Sequence, residues 1–98
     1  MLALPALATA SAISAARRAE LRNLLHQDCG SCHGSRLTGG LGPALTSAAL
    51  TGKSAAMVER IIADGRPGTP MPPWKYLLTR EEIRWLVKRL LSGAEDPE

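Results

Sequence analysis

Two cysteines and two histidines are present in this chain of 98 residues, and three of the four stand together as Cys29-Gly30-Ser31-Cys32-His33. Two thiols three positions apart can each close a thioether onto one vinyl group of a haem. A histidine directly after them turns its imidazole to the iron from the proximal side, so Cys-x-x-Cys-His is the attachment pattern of a c-type haem. Three other chemistries use paired cysteines. A structural zinc site needs four ligands, usually from two such pairs, and His26, Cys29, Cys32 and His33 would crowd into about one turn. A dithiol redox pair expects alternating strands and helices around it, and none is visible. A disulfide between near neighbours closes a tiny loop, gains little stability and leaves His33 without a purpose. The pattern favours haem over all three.

Iron held by His33 has a second axial position to fill. Gly65-Arg66-Pro67-Gly68-Thr69-Pro70-Met71-Pro72-Pro73-Trp74 places a methionine in a stiff, extended segment with prolines at 67, 70, 72 and 73. Met71 lies on no helix stripe, whereas Met57, the competing sixth ligand, ranks below it because a helix stripe already employs it. A soft thioether on a rigid strap suits a sixth ligand. His26 sits too close to Cys29 to reach across the ring and reads as a surface or core-edge residue. The second loop of interest is Thr38-Gly39-Gly40-Leu41-Gly42-Pro43-Ala44-Leu45. Its glycines let backbone pass near a bulky group. A carbonyl there, with Pro43 the candidate, could accept the proton on the outer nitrogen of His33, orienting the ring and raising its basicity. A plain turn is the alternative.

With both axial positions filled, iron can only change oxidation state. A His and Met pair raises its potential relative to other ligand sets. The expectation is a soluble one-electron carrier, not an enzyme. If the distal position is open instead, the haem would bind NO or CO as a sensor, or turn over peroxide. No extra distal histidine or Arg and Asp pair is placed for peroxide chemistry.

These residues must be positioned by a small domain. Aromatics are 3% of the chain, with no Phe, so a porphyrin would supply missing core volume. Three helices are expected and no strands. The first runs from about Ser14 or Arg17 to Asp28, with Leu21, Leu24 and Leu25 at helical spacing. Ser54 to Asp64 is the second, with Ser54 as N-cap, a stripe of Met57, Val58, Ile61 and Ile62, and Gly65 as the stop. Thr79-Arg80-Glu81-Glu82 is a capping box opening the third, whose stripe is Ile83, Leu86, Val87 and Leu90 and whose end is Gly93. Residues 1–16 are uncharged and rich in Ala and Leu, with small-residue cleavage sites after Ala10, Ala12 or Ala16. They read as a secretory leader without its charged start, since no basic residue precedes Arg17, with an ordinary Ala-rich helix as the alternative. Pro5 interrupts the run, which argues against a membrane span. Residues 17–92 form the domain, and the acidic tail 93–98 is expected to fray.

The order of helix, Cys-x-x-Cys-His, Gly-Pro loop, middle helix, Pro-flanked Met and Trp-bearing last helix resembles the class I cytochromes c over residues 17–92. Within that class, Cys-Gly-Ser-Cys-His-Gly, Leu-Thr-Gly-Gly-Leu-Gly-Pro-Ala-Leu and Asp-Gly-Arg-Pro-Gly-Thr-Pro-Met-Pro-Pro-Trp resemble the small NirC-type monohaem cytochromes of denitrification operons. The resemblance implies an all-α fold, three main helices wrapped around one covalent haem c and its iron. It implies vinyl thioethers at Cys29 and Cys32, His33 and Met71 as axial ligands, and Pro43 as the carbonyl on the proximal His. Trp74, with Arg66 as second candidate, matches donors to a haem propionate. Trp85 would pack where first and last helices cross, with Leu24 or Leu25 in place of the usual aromatic. A periplasmic monomer is implied, serving the haem-d1 nitrite reductase as electron donor or in maturing its haem d1. The net charge of +3 is no nucleic-acid footprint. Lys53, Arg66 and Lys75 flank the expected haem edge and form a candidate rim for an acidic redox partner.

Overall fold

The computed structural model describes residues 13–97. Ser14 opens α1 (Ala15–Leu24), its hydroxyl accepting the Arg17 amide at 3.0 Å and meeting a donor that every helix start leaves free. The helix does not stop at Asp28, where the spacing of leucines predicts its end. It passes through a π-helical turn (Leu25–Cys29) into a last α turn, α2 (Gly30–His33), so the whole haem motif is helical. A π turn takes in one extra residue and re-aims the side chains that follow it. Apolar spacing carries no mark of such a turn.

The other two helices start and stop on the residues expected. Ser54 caps α3 (Ala55–Asp64) by accepting the Met57 amide at 3.1 Å. In front of α4 (Arg80–Ser92), Thr79 and Glu82 each take the other's amide, at 3.1 and 3.0 Å. Gly93 closes α4 in the left-handed region, at φ 83°. No strand occurs among the described residues.

One core joins these elements. The α4 stripe (Ile83, Leu86, Val87, Leu90) is fully used, against Leu21 of α1, Leu25 of the π turn and Val58 of α3. Leu37, Leu50 and Leu78 close it from the connecting loops. Each such side chain contributes about 1.5–3 kcal/mol on leaving water. Leu25 goes to the centre of the first helix's apolar face, while Leu24 stays at its edge. Trp85 packs at the core's edge under the Arg89 guanidinium, 5.2 Å from the ring centre. Arg17 ties α1 to the start of α4, its Nε donating to Glu82 Oε2 at 2.7 Å. That bond holds the Glu82 carboxyl below the usual range.

Two expectations need correction. Met57 is not on the buried stripe: it is 43% exposed, and α3 packs instead through Val58, Ile62 and Ala63. Neighbours on a helix stand about 100° apart, so burying Val58 turns Met57 outward. Nor is the acidic tail frayed over residues 93–97, the part the structure describes. Glu95 is buried and takes hydrogen bonds from Arg22 Nε at 2.9 Å, from His26 Nε2 at 2.7 Å and from Arg89 Nε. Asp96 accepts both the amide and the hydroxyl of Ser47, at 2.8 and 2.6 Å. Burial alone would raise the Glu95 carboxyl, but the three basic donors outweigh it and hold it down at about 2. Residues 1–12, most of the leader segment, lie outside the described residues. Ile13 packs against the core, directly before the Ser14 cap.

Candidate haem site

The motif and the loop after it form one unit. Gly34 ends α2 at φ 93°, and the chain folds back over the helix end. The Gly39 amide donates to the His33 carbonyl and the Gly42 amide to the Cys32 carbonyl, both at 2.8 Å. These carbonyls are among those a helix C-terminus leaves unpaired. Leu37 anchors the loop from below. It is fully buried yet sits at φ 61°, a left-handed conformation that costs a branched side chain about 1–2 kcal/mol. Burial of its side chain, with backbone bonds to Gly34 and Leu45 at 2.8 Å each, offsets that cost.

His33 Nδ1 lies 2.7 Å from the Pro43 carbonyl. A carbonyl only accepts, so Nδ1 carries the proton and the Nε2 lone pair is left for a metal. Gly42 permits this approach. A Cβ there would stand 2.7 Å from His33 Cε1 and 2.8 Å from Nδ1. The glycines were expected to make room for a bulky group, and the groups they admit include the imidazole itself. Cys29 and Cys32 form no disulfide, which leaves both sulfurs for thioethers. Two cysteines outside any disulfide and an imidazole with one committed nitrogen fit a haem bound through two thioethers and a proximal histidine.

The remaining candidates, Arg66, Met71 and Trp74, lie together on the strap after α3. Gly65 starts it at φ 70°, with the Met71 carbonyl so close that a Cβ would meet it at 2.7 Å. The Arg66 amide donates to that carbonyl at 3.3 Å, and the Trp74 amide returns the chain to Ile62 at 3.0 Å. Met71 is half-buried, Trp74 packs against the core and Arg66 is exposed. Of the three cations read as a docking rim, Lys75 is already engaged. It pairs with Asp64 at 3.2 Å and lies over the Tyr76 ring, which leaves Lys53 and Arg66.

His26 is a core-edge residue, as expected, and it has a task. Its ring nitrogens face Glu95 at 2.7 Å and the Ser35 carbonyl at 3.2 Å, linking the tail to the loop behind the motif. The spacing of Arg22 and His26, four apart on one helix face, was the available signal for this cluster. Nothing in the sequence paired them with Glu95.

A family model described as cytochrome c oxidase, cbb3-type, subunit III matches residues 16–88. The chain belongs to that family of c-type cytochromes. It therefore carries covalently bound haem c with its iron and is a protein of electron transport. The cytochrome is 58% identical over 83 residues to cytochrome c55X of Pseudomonas aeruginosa, covering 85% of this chain and 70% of the relative. It matches the solved structure of the c-type cytochrome NirC with a TM-score of 0.84 and 56% identity, over 87% of this chain and 100% of that one. It also matches 15% of the chain of dihydro-heme d1 dehydrogenase NirN in complex with DHE, with a TM-score of 0.67 and 33% identity over 71% of this chain. The all-helical architecture expected from the sequence is the one shared with NirC. No helix among the described residues is long and apolar enough to cross a membrane.

Proposed function

We propose that the cytochrome is a one-electron carrier, its haem bound by Cys29 and Cys32 and its iron held between His33 and Met71. The observation that carries this reading is the 2.7 Å bond from His33 to the Pro43 carbonyl. It commits one ring nitrogen, frees the other and fixes the plane of the imidazole. Bound haem c supplies a reversible one-electron change at iron. Everything else is done by the chain. Pro43 holds the His33 proton at Nδ1 and raises the basicity of Nε2. Gly42 closes off the space into which the ring could turn. The proline strap presents the Met71 thioether, and a His and Met pair raises the potential. Ligands that keep their places in both oxidation states make transfer fast and leave no position for a substrate, so the protein is not an enzyme. Trp74 and Arg66 serve as donors to the haem propionates.

The working place is the periplasm, since haem c is attached on the oxidising side of the bacterial membrane. Leader cleavage after Ala10 or Ala12 spares the Ser14 cap of α1, whereas cleavage after Ala16 would remove it. Likeness to NirC and to part of the haem-d1 dehydrogenase NirN supports a place in denitrification. The cytochrome acts there as a monomer, as electron donor to the haem-d1 nitrite reductase or as redox partner in completing haem d1. Lys53 and Arg66 offer positive charge to such a partner.

An optical spectrum of the ferric holoprotein, followed by CO addition to the ferrous form, tests the ligand set. A weak far-red sulfur-to-iron band, lost in Met71→Ala, and no CO shift in the unaltered protein are expected. Absence of the band with prompt CO binding would overturn Met71 ligation and favour an open, ligand-binding site. Stopped-flow mixing with reduced or oxidised nitrite reductase then tests the partner.

A further inference from the structure

We propose that Thr69 is the positioning residue for Met71: its hydroxyl, more than the prolines around it, sets how firmly the sixth ligand is presented to the iron. The proposal rests on the reading of Met71 as that ligand. Proline rings fix φ at 67, 70, 72 and 73 and remove four amide donors from the strap. They leave the torsions of Gly68 free and bias Thr69 and Met71, each directly before a proline, toward extended backbone without fixing them. Met71 consequently carries the only amide N–H between Thr69 and Trp74. That donor goes to Thr69 Oγ1, at 3.3 Å. The same hydroxyl donates to the Arg66 carbonyl at 2.6 Å, and the Thr69 amide reaches that carbonyl at 3.0 Å. The Arg66 amide completes the circuit on the Met71 carbonyl, at 3.3 Å.

One hydroxyl, as donor and acceptor at once, thus joins the two ends of the turn. A hydroxyl is the smallest side-chain group that can do both. Threonine adds a stiff χ1, which keeps the oxygen pointed inward. Without it the Met71 amide loses its partner, and the turn keeps only backbone bonds, from the Thr69 amide to Arg66 at 3.0 Å and from the Arg66 amide to Met71 at 3.3 Å. The strap residues from Arg66 to Pro70 are exposed, so their packing gives no substitute.

The test compares ferric and ferrous holoproteins of the parent, Thr69→Val, Thr69→Ser and Met71→Ala. Valine keeps the shape and loses the hydroxyl. Two lost hydrogen bonds correspond to a roughly tenfold larger population with Met71 off the iron. Thr69→Val should therefore bind CO roughly tenfold faster than the parent, on that same arithmetic. Its far-red sulfur-to-iron band should weaken and be lost at lower pH on alkaline titration, with haem content unchanged. Thr69→Ser should restore both signals. If Thr69→Val matches the parent while Met71→Ala loses the band, the Thr69 proposal fails and Met71 ligation stands. A serine variant as impaired as the valine one also overturns it, because the hydroxyl would not be the deciding group. A parent without the band, or a Met71→Ala variant that keeps it, overturns both readings. Should Thr69→Val yield no holoprotein, Thr69→Ala against Thr69→Ser carries the same comparison.

Discussion

The loop after α2 and the strap after α3 start alike and are held differently. Each begins at a glycine with positive φ, Gly34 at 93° and Gly65 at 70°. Each lays a backbone carbonyl on that glycine, Gly39 and Met71 respectively, within 2.6–2.7 Å of where a Cβ would be. From there they diverge. The loop on the His33 side is cross-linked to its own helix end by backbone bonds and rooted in the core by Leu37. The strap on the Met71 side is stiffened covalently by proline and carries few donors. The His33 loop is held by packing, the Met71 strap by chain stiffness, two backbone bonds and the bonds of the Thr69 hydroxyl. Packing is all-or-none, whereas a strap can give way a little. The imidazole side should fail abruptly on substitution and the thioether side by degrees.

The largest effect should come on the imidazole side. Gly42→Ala drives a methyl against His33 while Pro43 holds the ring in place. Overpacking of this kind costs about 1–3 kcal/mol, and haem loading should fall roughly tenfold, measured as haem per protein after export. Normal loading would mean the ring can swing, and the contrast between the two loops would be lost.

Next comes the cluster that braces the same side from the tail. The Glu95 carboxyl, held at about 2 instead of the ordinary 4.5, makes a contribution to stability that depends on pH. The sign follows from a lowered folded-state value. The contribution is whole above about pH 5 and fades as pH falls from about 4.5 through about 2. Glu82 acts in the same direction. Urea unfolding of the parent should lose stability over that range, and Glu95→Gln should start lower and flatten the profile. Its bonds run through His26 to Ser35 and none reaches the strap, so the sulfur-to-iron band should not change. A weakened band in Glu95→Gln would show that the two sides are coupled.

Gly65→Ala should cost about 2 kcal/mol, from its positive φ and the Met71 carbonyl behind it. Haem should stay attached while the band diminishes, the gradual failure that separates strap from loop. The smallest effect belongs far from both. Thr79→Ala removes half of the capping box and should lower stability by about 1 kcal/mol with an unchanged spectrum.

Much of this was legible in the chain itself. Caps are local, so Ser54, Thr79 with Glu82, and Gly93 could be read from residue types three or four positions apart. The haem motif is local too, and so is the stiffness of four prolines around Met71. The bond from His33 to Pro43 spans ten residues and was foreseen only as a choice between a tether and a plain turn. Other features left no trace in spacing. Burial of Leu25 over Leu24 and the outward turn of Met57 depend on which face α4 covers. The left-handed Leu37 is a conformation its residue type opposes, and it persists only because the core holds the side chain. Glu95 looked like part of a solvated tail.

The amino-acid order determined the cofactor, the helices and the candidate ligands to be tested, because covalent reach and capping act over a few residues. The tertiary structure decided how those groups are held: the π turn that re-aims the motif, the glycine faced by an imidazole, and a tail carboxylate gathered by Arg22, His26 and Arg89. Such arrangements depend on contacts between segments up to 73 residues apart, and burial sets their strength only once the chain has closed around them.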